Sequence, residues 1–469
     1  MNNIANFLWA SPLIIFFIGC GVYLTLGTKF MQIRHFKSMI THSVNKPSKA
    51  KKGGISPLSS LMLTLSSRLG TGNIVGVAAA ISIGGPGAVF WMWVTAFLGA
   101  AISFSESILG QIYKVEDEEK NYRGGPSYYI EKGLNARWYG IIYAMSIILA
   151  YIIFLPGIQA NTITTSLEAS FGVSPFLVAF LVVLSLVPLI RGGIKHFTKF
   201  SNFVIPVMAL SFIIIAIIII VINASYIPHA FSLIFYSAFG VNEIFAGLFG
   251  YAVSFGVRRG VFSTEAGLGT SVSASAAANT KHPAEQGFVQ SFSIYIDTLL
   301  INTLTALMIL TTNSYYVLNP SGGYLVEHLP SALKAVDFTI YAVSTVFSNY
   351  GPMIVSILIF FFAYTSFITY YYIAETNLLY ILKGKKSRFL KFLLSFIFLA
   401  FIFRGGILES TAVWAFADVG IGISMWVNLI AIVLLSPIVF RCFKDYEKNK
   451  GKVFNPKRAN IKNADFWES

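Results

Sequence analysis

Charged residues are scarce in this sequence. Asp, Glu, Lys and Arg make up 12% of the 469 residues, whereas hydrophobic residues make up 55%. A soluble globular domain carries roughly 25% charged residues. The composition therefore excludes a soluble protein and indicates a polytopic membrane protein.

Residues that support catalysis or metal binding are also few. The two cysteines lie in different settings, Cys20 in an apolar run and Cys442 in a charged tail, so no disulfide is predicted. The six histidines lie in loops or near the ends of apolar runs, and they lack the spacing of zinc ligands or of a catalytic triad. We therefore expect neither an enzyme nor a bound cofactor.

Long apolar runs, in contrast, dominate the chain. A membrane-spanning helix needs roughly 20 apolar residues, and by that measure the sequence predicts an all-α protein with eleven transmembrane helices. No soluble domain is evident between them. The predicted spans lie near residues 7–27, 57–83, 87–112, 138–168, 175–190, 197–222, 243–280, 286–312, 352–380, 389–404 and 411–440.

The basic residues predict how these spans are oriented. All 34 Lys and Arg except Lys334 and Arg404 fall on one side when the spans alternate across the membrane. Because loops rich in Lys and Arg stay in the cytoplasm, we expect the amino terminus outside and the carboxyl terminus inside, in a plasma membrane. This topology requires an odd number of spans. It also explains the net charge of +14 without a nucleic-acid partner.

The second span contains a glycine-rich interruption at residues 69–74, Leu-Gly-Thr-Gly-Asn-Ile. Backbone N–H and C=O groups inside a bilayer must be paired within the protein, so a broken helix is tolerated only where it lines an enclosed cavity. The positive end of a half-helix attracts an anion, and freed carbonyl groups can hold a cation. The sequence therefore predicts a binding site here.

The seventh span contains a second candidate interruption. A half-helix of roughly 13 residues that starts at the outer surface reaches the bilayer centre near Ser254, Phe255 and Gly256. We place the second break there. Arg258 and Arg259 would then lie in the cytoplasmic half of the span.

Two interrupted helices at matching positions indicate an inverted repeat of five plus five helices, with the substrate held between the repeats. This repeat leaves one extra helix at the amino terminus. We therefore divide the chain into a first helix with a basic cytoplasmic loop (1–56), a first repeat (57–222), a second repeat (223–440) and a cytoplasmic tail (441–469).

Six patches of the sequence resemble the alanine or glycine:cation symporter family. The resemblance covers most of the chain, in order, and implies a leucine-transporter-like fold. It also implies a sodium-coupled symporter that imports a small neutral amino acid, alanine or glycine by default, by alternating access. The matching patches are residues 67–78, 84–93, 121–134, 159–161, 259–269 and 295–298.

The resemblance further implies which residues bind the amino acid. Peptide groups of the first break are expected to bind its carboxylate, together with a glutamine in the third core helix. Carbonyl groups of the second break are expected to bind its ammonium group. For the glutamine, an interhelical hydrogen bond is the alternative role. The expected substrate-binding residues are Thr71, Gly72, Asn73, Gln159, Ser254, Phe255 and Gly256.

A sodium site is expected beside the substrate. Sodium is a hard cation that prefers oxygen ligands, and Thr365 and Ser366 supply adjacent hydroxyl groups in the eighth core helix. The resemblance implies that they act with carbonyl groups of Phe362, Ser66 and Leu69. Hydroxyl groups in membrane helices also bond to the preceding turn, which is the alternative role.

Charged residues inside the spans suggest a gate. Ionisable groups in a membrane are expensive and are usually linked to function. We interpret Arg68 with Glu106 or Glu265 as an inner gate pair, or alternatively as a static ion pair. Asp297 is the deepest carboxylate and would carry a proton if the chain were coupled to protons instead of sodium.

Three alternatives remain open at this stage. Glutamine or another neutral amino acid is the alternative substrate, a proton is the alternative coupling ion, and an ion channel is the alternative class of protein. A channel would not need a carboxylate-binding break.

Two departures from the family bear on the pocket and the gate. Thr264 stands where the family usually has Asn, and residues 424–428 lack the proline that precedes Asn428 in the family.

Overall fold

The computed structural model describes residues 2–44, 53–118, 120–241, 244–330, 333–385 and 387–468. Residues 45–52 of the predicted basic loop lie outside the described residues.

The chain is mostly helical, at 79%, as predicted. The helices are α1 Asn2–Leu8, α2 Ser11–Gly27, α3 Met31–Arg34, α4 Phe36–Ser43, α5 Pro57–Arg68, α6 Val75–Gly84, α7 Gly87–Ile112, α8 Pro126–Leu134, α9 Arg137–Leu149, α10 Pro156–Phe171, α11 Pro175–Ile222, α12 Ile227–Ala238, α13 Phe249–Thr264, α14 Thr270–Ala277, α15 Pro283–Ile294, α16 Thr303–Thr311, α17 Ala335–Phe347, α18 Gly351–Ile381, α19 Arg388–Ile407, α20 Ser410–Lys448 and α21 Asp465–Glu468.

Short irregular elements join these helices. Two small antiparallel sheets pair β1 Val115–Glu116 with β2 Tyr122–Arg123 and β3 Tyr316–Leu318 with β4 Tyr324–Glu327. The 3-10 turns are Thr71–Asn73, Ala224–Tyr226, Ala246–Leu248 and Ser348–Tyr350, and the π-helical segments are Ala150–Phe154 and Tyr295–Asn302.

Eight helical stretches in the described part of the chain are long and apolar enough to cross a membrane, which supports a polytopic membrane protein. Each of them corresponds to one predicted span. They are Gly87–Ile112, Arg137–Phe171, Pro175–Gly192, His196–Ile222, Pro283–Thr311, Ala335–Ile381, Arg388–Ile407 and Ala412–Lys448.

The other three predicted spans are shorter or divided helices. The first is α2, with 17 residues. The second is divided into α5 and α6, and the seventh into α13 and α14. The total of eleven spans and the inverted repeat therefore remain predictions.

One predicted boundary is wrong. The fifth and sixth predicted spans form a single helix, α11, which runs for 48 residues through the expected connection at 191–196. Basic residues mark a membrane surface, but they do not end a helix. Even Pro188 and Pro206, which each lack a backbone donor, lie inside α11.

Helix α7 is the element against which the second broken span packs. α7 packs against both α13 and α15. A Cβ atom added to Gly256 of α13 would lie 2.5 Å from Cβ of Trp91, and one added to Gly260 would lie 2.8 Å from Cβ of Thr95. Small residues let membrane helices approach closely, so these glycines fix the distance between α13 and α7.

Candidate functional site

The first break lies where the sequence predicts it. Helix α5 ends at Arg68, a 3-10 turn spans Thr71–Asn73, and α6 begins at Val75. Gly70 between them adopts an extended backbone, with φ −130°. Because the break is fully buried, its freed backbone groups need partners within the protein.

Two amide side chains supply partners to this break. The Gly70 N–H donates to Oδ1 of Asn73 at 2.9 Å, and the Thr71 N–H donates to Oε1 of Gln159 at 3.2 Å. Gln159 is itself held by a hydrogen bond from its Nε2 to the hydroxyl of Tyr370 at 2.9 Å. The structure therefore brings together Gln159 and the first break, as the sequence predicts.

Asn73 also connects the break to the π-helical segment Tyr295–Asn302. Its Nδ2 atom lies 2.5 Å from Oδ1 of Asp297 and 2.7 Å from Oδ1 of Asn302. The hydroxyl of Ser263, at the end of α13, donates to Oδ2 of Asp297 at 2.8 Å. The sequence placed Asp297 deep in the membrane but did not reveal this cluster, because its members come from three distant segments.

Space around the break is tight. A Cβ atom added to Gly70 would lie 3.0 Å from the Ser366 hydroxyl and 3.1 Å from Nε2 of Gln159. One added to Gly72 would lie 2.9 Å from Cδ1 of Phe262. Both glycines are therefore needed for the close approach of neighbouring helices to the break.

The prediction for the second break is wrong. Ser254, Phe255 and Gly256 lie inside the continuous helix α13, so their carbonyl groups are not freed. The chain leaves helical geometry only at Glu265, which has φ 50°. The second break lies later because α13 begins only at Phe249, and a half-helix of roughly 13 residues from there ends close to the observed break.

The actual second break spans residues 265–269. Gly267 and Gly269 both have positive φ, 83° and 81°, a conformation that favours glycine. The end of α13 lies against the first break, since a Cβ atom on Gly72 would contact both Phe262 and Cα of Ser263. The two breaks therefore adjoin each other, although the second lies about ten residues later than predicted.

The hydroxyl groups expected around sodium are all buried. Thr365 and Ser366 each donate to the carbonyl of Phe362 at 3.1 Å. Ser66 bonds to the hydroxyl of Thr369, and the Thr369 hydroxyl donates to the Leu63 carbonyl at 3.2 Å. Sequence reasoning missed Thr369 as a candidate, although it lies one helical turn after Thr365 and so on the same face.

Leu69, the remaining member of the expected sodium set, lies at the junction itself. Its backbone N–H closes the last turn of α5 by donating to the Leu65 carbonyl at 2.8 Å, and its φ and ψ of −75° and 82° are no longer helical. The Leu69 carbonyl therefore belongs to the non-helical segment, as a cation ligand there requires.

The structure does not bring together the predicted inner gate pair. Arg68 donates to the Gln290 carbonyl at 2.9 Å and to the hydroxyls of Ser293 and Ser103. Within the described residues, no ion pair joins Arg68 to Glu106 or Glu265. Hydroxyl and carbonyl groups bind the two Nη atoms of Arg68 instead, while its Nε has no partner among the described residues. A gate pair that forms only in another state of the transport cycle stays a prediction.

The two glutamates have partners of their own. Glu265 accepts hydrogen bonds from Ser67 at 2.7 Å, Thr270 at 2.8 Å and Tyr151 at 3.0 Å. Glu106 accepts from Ser271 and from Asn428, both at 3.2 Å. Glu265 thus ties the second break to α5, and Glu106 ties α7 to α14 and α20.

A buried ion-pair cluster joins α13 to α20. Nη2 of Arg258 lies 2.5 Å from Oδ2 of Asp418, and Nη2 of Arg259 lies 2.9 Å from the same oxygen. Arg259 also lies 4.4 Å above the ring of Trp414. Both arginines precede the observed break, in the half of the span that starts at Phe249, and do not follow it as predicted.

This cluster is expected to contribute strongly to stability. Replacing Asp418 by alanine leaves two buried guanidinium groups without a carboxylate, and removing one partner of a buried pair typically costs about 3–5 kcal/mol. We expect a marked fall in the unfolding temperature of the purified protein in detergent, followed by tryptophan fluorescence.

A surface pair provides the matched control for Asp418. Glu131 lies 3.0 Å from Arg137, and both side chains are about one third exposed. Glu131→Gln is expected to change the stability by about 0–1 kcal/mol. Equal unfolding temperatures for Asp418→Ala and the wild type would contradict the role assigned to the cluster.

Comparison with known proteins places the chain in a family. The model of the sodium:alanine symporter family matches residues 1–460. The putative sodium/proton-dependent alanine carrier protein YrbD of Bacillus subtilis is 44% identical over 465 residues, which cover 98% of this chain and 96% of the relative.

Two further relatives extend this comparison. The probable sodium/glutamine symporter GlnT of Bacillus subtilis is 38% identical over 449 residues, 96% of this chain and 90% of the relative. The sodium/alanine symporter AgcS of Methanococcus maripaludis is 34% identical over 460 residues, 96% and 98% of the two chains. The chain is thus a transporter and not an enzyme, and it belongs to the sodium:alanine symporter family.

Proposed function

We propose that this protein is a sodium-coupled symporter that imports a small neutral amino acid, alanine in particular, by alternating access. The observation that carries the proposal is the buried break at residues 69–74, where amide side chains bind the backbone N–H groups of Gly70 and Thr71. The hydroxyl of Thr71 is buried and has no hydrogen-bond partner among the described residues. An unpaired buried hydroxyl is costly, and a polar ligand would satisfy it.

The carboxylate of the amino acid is assigned to the start of the second half-helix. Peptide N–H groups at a helix N-terminus point outward and favour an anion. Oε1 of Gln159 accepts from the Thr71 N–H at 3.2 Å, and it marks the position that a carboxylate oxygen takes. Gly72 and Asn73 complete this set of peptide groups.

The ammonium group is assigned to the end of α13. The last carbonyl groups of a helix have no partners within it and carry a partial negative charge. Phe262 and Ser263 belong to this last turn and lie directly against Gly72. A zwitterion between the two breaks would therefore meet a positive helix end and a negative one.

Sodium is assigned to the oxygen atoms beside the first break. Ser66, Leu69, Phe362, Thr365 and Ser366 form this set, and a Cβ atom on Gly70 would lie only 3.0 Å from the Ser366 hydroxyl. The hydroxyl groups of Thr365 and Ser366 converge on one carbonyl, that of Phe362. Several convergent oxygens and no nitrogen ligands suit a hard cation.

Glutamine is the second candidate substrate. One relative is named a sodium/glutamine symporter, which supports it. The contact between Phe262 and Gly72 leaves little room beside the break and favours alanine or glycine. The distribution of Lys and Arg supports an orientation with the amino terminus outside the plasma membrane.

Transport by the purified protein in liposomes tests the proposal. An inward sodium gradient is expected to drive accumulation of labelled alanine, and unlabelled alanine and glycine are expected to compete better than glutamine. Saturable uptake separates a carrier from a channel. Uptake that is indifferent to sodium, or flux that rises without saturation, would contradict the proposal.

Gly70 offers a sharp test of the first break. Gly70→Ala places a methyl group against Ser366 and Gln159, and we expect an uptake rate at least about tenfold lower at subsaturating alanine, equivalent to about 1.4 kcal/mol. Gly76→Ala is the matched control, because a Cβ atom there meets nothing within 4 Å. The assignment fails if both variants transport alike.

Two further variants separate the amino-acid site from the sodium site. Gln159→Ala removes a partner of the break and is expected to raise the alanine concentration for half-maximal uptake about tenfold. Thr365→Ala removes a sodium ligand and is expected to raise the sodium concentration needed instead. Unchanged half-maximal concentrations in both variants would remove these assignments.

A further inference from the structure

Buried charge around the first break does not balance. Arg68 is 1% exposed, and three carboxylates, Glu106, Glu265 and Asp297, are at most 2% exposed. The other two arginines of this region, Arg258 and Arg259, are paired with Asp418 and are not available to these carboxylates.

Uncompensated charge in the interior of a membrane protein is expensive. With one guanidinium against three carboxylates, the interior cannot hold all three ionised unless it also binds protons or cations. A single bound sodium would leave one negative charge, so a second positive charge has to enter the same region. A proton on one carboxylate supplies it.

Asp297 is the carboxylate whose hydrogen bonds lead directly to the first break. Thr298 donates to its Oδ2 at 2.6 Å and Ser263 to the same atom at 2.8 Å, while Asn73 donates to its Oδ1 at 2.5 Å. None of the ion pairs in the described part of the chain includes Asp297. It lies in a π-helical segment, a distortion that is frequent at functional sites.

The charged groups on the surrounding elements do not neutralise Asp297. Arg68 comes nearest, since it bonds to Ser293 one helical turn before Asp297, but its other bonds go to Gln290 and Ser103. Within the same π-helical segment, the Tyr295 hydroxyl donates to the Gln32 carbonyl. The remaining ionisable groups on the packed helices α7, α13 and α15 are Glu106, Tyr251, Arg258, Arg259 and Glu285, and Glu265 directly follows α13.

The amide of Asn73 joins Asp297 to the break. Its NH2 group has two hydrogens but lies within hydrogen-bond distance of three oxygen atoms, on Asp297, Asn302 and Ser263. Its Oδ1 accepts from the Gly70 N–H at 2.9 Å. The orientation of this amide therefore depends on whether Asp297 accepts or donates.

Protonation of Asp297 changes that balance. A protonated carboxyl group carries one O–H donor, which faces the NH2 group of Asn73 unless the amide turns over. Turning the amide takes Oδ1 away from the Gly70 N–H, which then keeps only its bond to the Arg68 carbonyl at 2.9 Å and can also bind a substrate carboxylate. The protonation state of Asp297 is thus linked to the binding capacity of the break.

We propose that Asp297 binds a proton that enters together with the amino acid, and that Asn73 transmits its protonation state to the break. This inference rests on the proposed function as a symporter and names the residue that would couple it to protons. It assigns to Asp297 a role distinct from the sodium ligands around Thr365.

Internal pH, recorded in liposomes that contain the full-length protein and a trapped pH-sensitive dye, tests the proposal. The membrane potential is clamped, sodium is present at equal concentration on both sides, and no pH gradient is imposed. Adding external alanine to the wild type is expected to acidify the interior as alanine enters. Alanine entry without acidification would overturn the proposal, whether or not any variant folds.

Asp297→Asn then identifies the residue. This variant keeps the shape of the side chain but cannot take up the proton, so alanine entry is expected to lose its acidification and its dependence on external pH. Glu131→Gln, a surface carboxylate variant, is the control and is expected to behave as the wild type. Undiminished acidification in Asp297→Asn would overturn the assignment.

Different results would contradict the proposed function and the role of Asp297. An absence of sodium-driven alanine uptake by the wild type would remove the proposed function and this inference with it. Sodium-driven uptake without proton entry would leave the proposed symporter in place. If Asp297→Asn also needed a higher sodium concentration for half-maximal uptake, Asp297 would be a sodium ligand instead. An unfolding temperature of purified Asp297→Asn close to that of the wild type verifies that the variant is folded.

Discussion

The structure depends on one constraint, namely that backbone groups buried in a membrane protein must be paired. Where α5 ends at Arg68 and α6 starts at Val75, the backbone loses its helical hydrogen bonds in a fully buried site. Side chains of Asn73 and Gln159 take over part of this pairing. Replaceable partners of this kind suit a site that binds and releases a polar ligand, because the protein can satisfy the same groups in both states.

Electrostatics adds a second requirement around the same site. Glu106, Glu265 and Asp297 are buried near Arg68, and each is held by neutral donors and not by a lysine or an arginine in the described residues. The interior is therefore favourable to cations. Coupling to sodium, and in our proposal to a proton, is a physical consequence of this excess of buried carboxylates.

The sequence predicted the first break well because the signal is local. Two glycines, a threonine and an asparagine in the middle of an apolar run leave few alternatives, and the structure has the interruption at the same residues. The second break was misplaced because the seventh span offers two glycine-rich stretches. Gly256 serves close packing against Trp91, whereas Gly267 and Gly269 adopt the positive φ that an interruption requires.

Contacts between distant segments were beyond the sequence alone. Asp418 lies 160 residues after Arg258 and 159 residues after Arg259 in the sequence. Asn73 and Asp297 are separated by 224 residues. No local pattern indicates which buried charges meet. The sequence likewise does not reveal the partners of Arg68, which are neutral groups that a list of charged residues does not include.

The central claim is that peptide groups at the first break bind the carboxylate of the amino acid. Calorimetric titration of the purified protein in sodium with alanine and with alaninamide, which has no carboxylate, tests it most directly. We expect alanine to bind saturably and alaninamide not to bind. Equal binding of the two compounds would contradict the account.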